Sequence, residues 1–336
     1  MNDAPAATLP PIPLVELGAR PPAALVAAQQ DRAAALLAAA ARHFRGPAVA
    51  LGDRLSRRWL ERSANPYLGE IEAVAEALGA PGGWFLNVNY EWACTGGVAP
   101  APDGRGSRLL RVLDWRMAGL GANILAVRRE GPAGSWIDLS WPGFVGCIQG
   151  LAPGRFAAAL NQAPLRRRTG ARALDWAAMR GAVWRRRALP PAHLLRRAFD
   201  EARDYREARV LLTEIPLALP AIFLLGGARP GEGCVIERLE ERAFVREAPA
   251  VAANHWIAAP ERARPRGQES ETRHRLLGAA QGEAGNSAGE DFAWLVPPIL
   301  NPTTRLAMIA EPASGRLIAQ GYEPGGPATL ETVIAV

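Results

Sequence analysis

The hydrophobic period of this chain changes once near its N-terminal third, and that change limits what the chain can fold into. Residues 22–90 are rich in Ala, Leu, Arg and Glu, and their apolar positions recur at helical spacing over 23–44, 48–60 and 70–78. From Cys94 onward the spacing shortens. Apolar runs at 108–113, 123–127, 135–140, 144–149 and 156–161 alternate with Gly and Pro turns, which predicts a meander of strands. Helical spacing returns over 176–187, 192–204 and 205–213. Strands resume at 221–225, 234–239, 244–246, 251–253, 304–310 and 317–322. Residues 282–289 read as a loop, and no internal repeat is visible. With 336 residues, 49% of them apolar, the chain can fill one large domain or two small ones.

Cys94 stands where the period changes, in Tyr90-Glu91-Trp92-Ala93-Cys94-Thr95-Gly96-Gly97, and the next strand carries Arg111 and Asp114. A cut between Ala93 and Cys94 would place a thiol and an α-amine on one residue, so that the amine could serve as the thiol's base without a histidine. Arg111 would favour the thiolate, and Asp114 would accept a hydrogen bond from the new amine. Their three-residue spacing sets them on opposite faces of an ideal strand. Both reach Cys94 only if the strand is bulged or Asp114 lies past its end. Cys147 and Cys234 lie in apolar, strand-like surroundings where inert buried thiols are common, and the three cysteines form neither a metal spacing nor a disulfide framework.

Composition removes several chemistries. All 39 basic residues are arginine, so lysine Schiff bases, a P-loop lysine and a Ser-Lys dyad are excluded. The net charge of +6 is scattered apart from Arg166-Arg167-Arg168 and Arg185-Arg186-Arg187, which read as solvated helix faces, and no nucleic-acid-binding motif accompanies them. No metal or cofactor is expected. No apolar run approaches the roughly 18 residues that span a bilayer, and residues 1–13 lack the pattern of a secretory signal. A cytoplasmic location is the expectation. Gly285-Asn286-Ser287-Ala288-Gly289 matches a serine-hydrolase elbow, with His43, His193, His255 or His274 to complete a triad. The polar, small-residue stretch before it is not the buried strand that an elbow requires.

The chain resembles the acid ceramidase and N-acylethanolamine acid amidase group of the choloylglycine-hydrolase-like N-terminal nucleophile hydrolases. The matching blocks run in order: Asn65-Pro66-Tyr67-Leu68-Gly69-Glu70-Ile71, Leu86-Asn87-Val88-Asn89-Tyr90-Glu91, Cys94-Thr95, Arg111-Val112-Leu113-Asp114-Trp115, Gly143-Phe144-Val145-Gly146, Pro153-Gly154-Arg155-Phe156, Leu224-Leu225-Gly226-Gly227, Gly231 to Ile236 and Asn254-His255-Trp256. The resemblance implies an α+β, four-layer αββα sandwich preceded by a mainly helical N-terminal segment, with autocleavage dividing residues 1–93 from 94–336. It implies that Asn254 helps to form an oxyanion hole, that Asn161 is an active-site asparagine and that Arg273 is a second active-site arginine. Gln162 stands where the ceramidase branch has Glu, which removes a titrating group from the site. The implied activity is cysteine amidase action on a linear N-acyl amide, the N-terminal fragment remaining as partner. Acyl transfer of the isopenicillin N acyltransferase type and a non-catalytic lipid-binding descendant are the alternatives. Helix 23–44 could meet lipid, but packing on the catalytic domain is the simpler reading.

Overall fold

The computed structural model describes residues 9–89, 91–283 and 292–335, and its strands and helices carry labels in chain order. Two sheets form its centre. The larger runs β1 (Leu14–Gly18), β4 (Leu125–Gly131), β5 (Gly134–Ser140), β6 (Gln149–Ala152), β7 (Phe156–Gln162), β9 (Ala221–Gly227), β10 (Gly233–Arg238) and β11 (Ala243–Glu247). The second runs β12 (Ala250–Ala252), β2 (Ala93–Pro100), β3 (Ser107–Asp114), β14 (Thr304–Glu311), β15 (Arg316–Glu323) and β16 (Gly326–Pro327), with β17 (Thr332–Ile334) also on β15. A separate pair joins β8 (Leu165–Arg166) to β13 (Ala263–Arg264). Neighbours are antiparallel except β1 on β4.

β2 and β3 pack face to face on β7 and β9, and helices cover both outer faces. α6 (Pro191–Glu201) and α7 (Tyr205–Glu214) lie on the larger sheet, and α8 (Ser270–Glu283) lies on β2 and β12. This is the expected four-layer αββα order. The alternation of β3 shows why it is stable: Leu109 and Leu113 enter the core between the sheets, while Leu110 and Val112 join Leu277 beneath α8.

The N-terminal segment supplies α1 (Pro22–Ala28), α2 (Gln30–Phe44), α3 (Gly46–Leu60) and α4 (Leu68–Leu78), and its strand β1 extends the larger sheet. The helix expected over 23–44 is two helices, broken at Gln29 with φ −130° and ψ 43°. α1 packs on α4 and β1 whereas α2 packs on α3, so the chain must turn between them. Leu36, Ala39 and Ala40 of α2 are buried in the main core, which bears out the packed reading of that region.

Two other expectations are corrected. Residues 144–148 are not a strand, because their main-chain groups are satisfied elsewhere: Val145 N–H donates to Asn87 Oδ1 at 2.7 Å and Cys147 N–H to the Ala192 carbonyl at 2.9 Å. Arg166 lies in a strand and pairs with Glu240 and Glu261 at 3.0 and 2.8 Å, and Arg186, just past α5, reaches Glu240, so these two do not belong to a solvated helix face, whereas Arg167, Arg168, Arg185 and Arg187 are exposed. α8 itself gave no sequence signal, since its apolar residues Leu276, Leu277 and Ala280 make too short a stripe. The last intervening element, α5 (Arg172–Arg185), lies close to its predicted place and packs on β8.

A polar cluster behind the larger sheet ties the N-terminal segment down. Asn65 Nδ2 meets His193 Nδ1 at 2.7 Å, Tyr67 donates its hydroxyl to Asp200 at 3.1 Å, and Arg196 pairs with Glu70 at 2.6 Å and Asp200 at 3.3 Å.

Candidate active site

Cys94 is the second residue of β2, opposite Leu113 of β3, and it is fully buried. Strand alternation points its side chain between the sheets. There the thiol meets the Arg111 guanidinium and the main-chain N–H of Gln162, both of which pull its pKa down. Burial is the larger effect, so the net shift is upward and the thiol is protonated at neutral pH. Arg111 is held in turn by Asn161: it donates Nη1 to Asn161 Oδ1 and Nη2 to the Leu160 carbonyl at 2.7 Å. Asn161 donates its own amide to the carbonyls of Ala252 and Ala253, both at 3.2 Å. Its side chain is therefore engaged in holding Arg111 and β12, while the neighbouring Gln162 N–H is the donor that faces the sulfur.

Asp114 is the last residue of β3 and faces the other way. It lies opposite both Ala93 and Thr304, where β14 carries a bulge. The irregularity expected near this pair is thus in the partner strand, and Arg111 and Asp114 approach Cys94 from opposite faces of the sheet. Thr304 donates to Asp114 Oδ1 at 2.9 Å, and Arg273 Nη1 approaches Oδ2 at 3.3 Å. Burial pushes the Asp114 carboxyl above its usual range, against the opposing pull of Arg273.

Arg273 and Asn254 complete the main-chain side of the cysteine. Arg273, buried on the first turns of α8, donates to the Cys94 carbonyl at 2.9 Å, to the Thr95 hydroxyl and to Asn254 Oδ1 at 3.2 Å. Asn254 follows β12, and its Oδ1 also accepts the Cys94 N–H at 2.8 Å. Two donors on one side fix the amide orientation, so Nδ2 faces the Gln162 carbonyl at 2.8 Å. Gly267, at φ +69°, brings the loop before α8 against Ala93. A Cβ there would lie 2.5 Å from that of Ala93. The sequence reading missed Thr304, Thr95 and Gly267, because no local pattern marks residues that act through a distant strand or loop.

Near Cys94, on the far side of Gln162, opens a cleft of about 430 Å³. Its walls are mostly apolar, with Trp59, Trp176, Trp184 and Met179, and Gln162 links it to the thiol. The histidines do not form a nucleophile's base here. His193 is buried behind the larger sheet, and His255 meets Ser270 Oγ at 2.8 Å beside α8. The elbow-like stretch 285–289 lies outside the described residues. Cys147 and Cys234 are buried, with thiols pushed up by burial, to about 11 for Cys234.

No family model matches the chain. Its sequence is similar to acid ceramidase of Pan troglodytes, 35% identical over 100 residues, which is 30% of this chain and 24% of that protein. It is 28% identical to acid ceramidase of Rattus norvegicus over 195 residues, 52% of this chain and 47% of that one. The chain thus spans between about a quarter and a half of the length of these curated relatives. Its fold matches the Caenorhabditis elegans N-acylethanolamine-hydrolyzing acid amidase ortholog with a TM-score of 0.51 and 19% identity, over 66% of this chain and 93% of that one. The chain therefore shares its fold with that amidase ortholog and is similar over part of its sequence to the acid ceramidases.

Proposed function

We propose that this chain is an autoprocessing cysteine amidase that cuts itself between Ala93 and Cys94 and then hydrolyses a linear amide of an N-acylated amine or amino acid. The observation that carries the reading is the enclosure of one residue on every side. The Cys94 thiol faces Arg111 and the Gln162 N–H, its main-chain N–H is held by Asn254, and its carbonyl by Arg273. In the uncut chain the Cys94 nitrogen is an amide and cannot act as a base. Attack of Sγ on the Ala93 carbonyl and hydrolysis of the resulting ester would free it as an amine beside Asp114.

In the mature protein that amine takes the thiol proton as sulfur attacks the substrate carbonyl. Asn254 Nδ2 and the Gln162 N–H are the neutral donors placed to hold the oxyanion. The amine half leaves with the returned proton, and water resolves the thioester. Cleavage would also free Glu91, which lines the cleft three residues before Cys94, to move aside. With Gln162 in place of a titrating acid, self-cleavage and turnover are proposed to run near neutral pH, in keeping with a cytoplasmic location.

Intact mass and N-terminal sequencing of active protein test this. Fragments of residues 1–93 and 94–336 are expected, and Cys94→Ala should remain one inactive chain. Full activity from an uncut chain would overturn the proposal.

A further inference from the structure

The cleft holds three charged side chains, Glu91, Arg180 and Arg266. Arg180 donates to Glu91 at 3.2 Å, so these two neutralise one another. Arg266 has no carboxylate within ion-pair range among the described residues. Its Nε donates to the Ala163 carbonyl at 3.0 Å, and Nη2 lies 3.5 Å from Met179 Sδ, a weak acceptor. A guanidinium has five N–H donors, so most of those on this cleft-lining side chain have no protein acceptor among the described residues. Arg238 and Arg305 also lack carboxylates, yet each donates to two or more main-chain carbonyls and neither lines the cleft. Burial and the nearby Arg180 and Arg172 push Arg266 down to about 10, which leaves it charged at neutral pH. A partly desolvated cation against Trp176, Met179 and Val183 disfavours the empty cleft and favours an anion in it.

The placement of Arg266 says which part of a ligand it meets. Its main-chain N–H donates to the Asn254 carbonyl at 3.0 Å, and its Nε is bonded to the residue after Gln162. It is therefore fixed on the wall next to the nucleophile, while the tryptophans line the rest of the cleft. In an N-acyl amino acid the carboxylate lies two bonds from the scissile nitrogen, and a guanidinium pairs with a carboxylate through two parallel hydrogen bonds. We propose that Arg266 is the receptor for a carboxylate on the amine half of the substrate, so that the preferred amide is an N-acyl amino acid with an apolar acyl chain, and not the amide of a neutral amine. This rests on the amidase reading for its chemistry, but the binding step can be measured without it.

The uncut Cys94→Ala protein, titrated calorimetrically with N-dodecanoylglycine and with N-dodecanoylethanolamine, isolates binding. The glycine compound should bind about 10- to 100-fold more tightly. Adding Arg266→Met should remove that preference, and Arg266→Lys should restore part of it. Equal affinities for the two ligands, or a preference that survives Arg266→Met, would overturn the receptor. Wild-type protein is then assayed for hydrolysis of both compounds. A binding preference that depends on Arg266, with neither compound hydrolysed, would support the receptor and remove the amidase.

Discussion

Two buried polar clusters lie on opposite sides of the larger sheet, and they are built differently. Around Cys94 the groups compete: burial opposes ionisation of the thiol while Arg111 favours it, and Asp114 is divided between burial and Arg273. Behind the sheet burial raises Asp200 against Arg196 in the same way, but the groups there form a joint of ion pairs. Arg196 pairs with Glu70 and Asp200 and lies 4.2 Å over the Tyr67 ring, and Trp136 donates to Asp200 at 3.1 Å. The first cluster surrounds a thiol that a reaction could use, whereas the second ties two segments together through ion pairs and hydrogen bonds. The second cluster joins Asn65, Tyr67 and Glu70, upstream of the proposed cut, to α6 downstream of it. It is the contact that would hold the fragments together after cleavage.

The comparison breaks most clearly through Asn254. Asn254→Ala should cut amidase turnover by a factor on the order of 10², about 3 kcal/mol, because a neutral oxyanion donor is lost. Thermal stability should change far less than turnover. Steady-state kinetics beside a melting curve will tell, and an unchanged kcat would remove Asn254 from the chemistry.

Arg196→Met should do the reverse. Breaking one member of a buried ion-paired group costs roughly 3 kcal/mol of stability, and turnover per folded molecule should stay near wild type. Size-exclusion chromatography of matured protein in mild urea should show residues 1–93 lost at lower denaturant than in wild type. Equal retention of that fragment would deny the cluster its joining role.

His193 sharpens the contrast through pH. Asn65 Oδ1 accepts the Tyr67 N–H, so Asn65 Nδ2 is the donor to His193 Nδ1 and the imidazole is neutral. Burial, aided by Arg196, lowers His193 to about 3. The folded state thus prefers the neutral ring. Its contribution to stability is complete above the ordinary value near 6.5 and is lost as pH falls from there toward 3. Between pH 6.5 and 4.5 the loss should reach about 2–3 kcal/mol. Melting of the uncut Cys94→Ala protein across that range should show the decline, and His193→Gln should flatten it. A slope that survives His193→Gln would assign the acid sensitivity elsewhere.

The smallest expected effect is at Gln162. Gln162→Glu places a titrating group beside the thiol and should move the pH midpoint of self-cleavage downward by about one unit. The cleaved fraction measured from pH 4 to 8 in both proteins decides it. A wild type uncut at pH 7.5 yet matured at pH 4.5 would contradict the neutral-pH reading.

Local pattern carried much of this protein. The change of period at residue 94, the strand that bears Arg111 and Asp114, and the helices over 48–60, 70–78 and 205–213 follow from neighbouring residues, since helix and strand spacing are local properties. The motifs around Cys94 and Asn254 marked residues that the fold does bring together. Other features waited on tertiary structure. Alternation along β3 predicted that Arg111 and Asp114 face apart, but only the bulge in β14 and the docking of α8 supply Asp114 with Thr304 and Arg273. Cys94 and Arg273 are 179 residues apart in sequence and touch through a main-chain carbonyl, which no side-chain pattern records. Residues 144–148 are as apolar as a strand and are a loop, because Asn87 and Ala192 satisfy their main chain first. The unpaired donors of Arg266 likewise arise only in the folded cleft, where the carboxylate of Glu91 pairs with Arg180 instead. Sequence determined which segments could pair and which residue could be a nucleophile; tertiary packing decided which partners, far along the chain, each buried charge would meet.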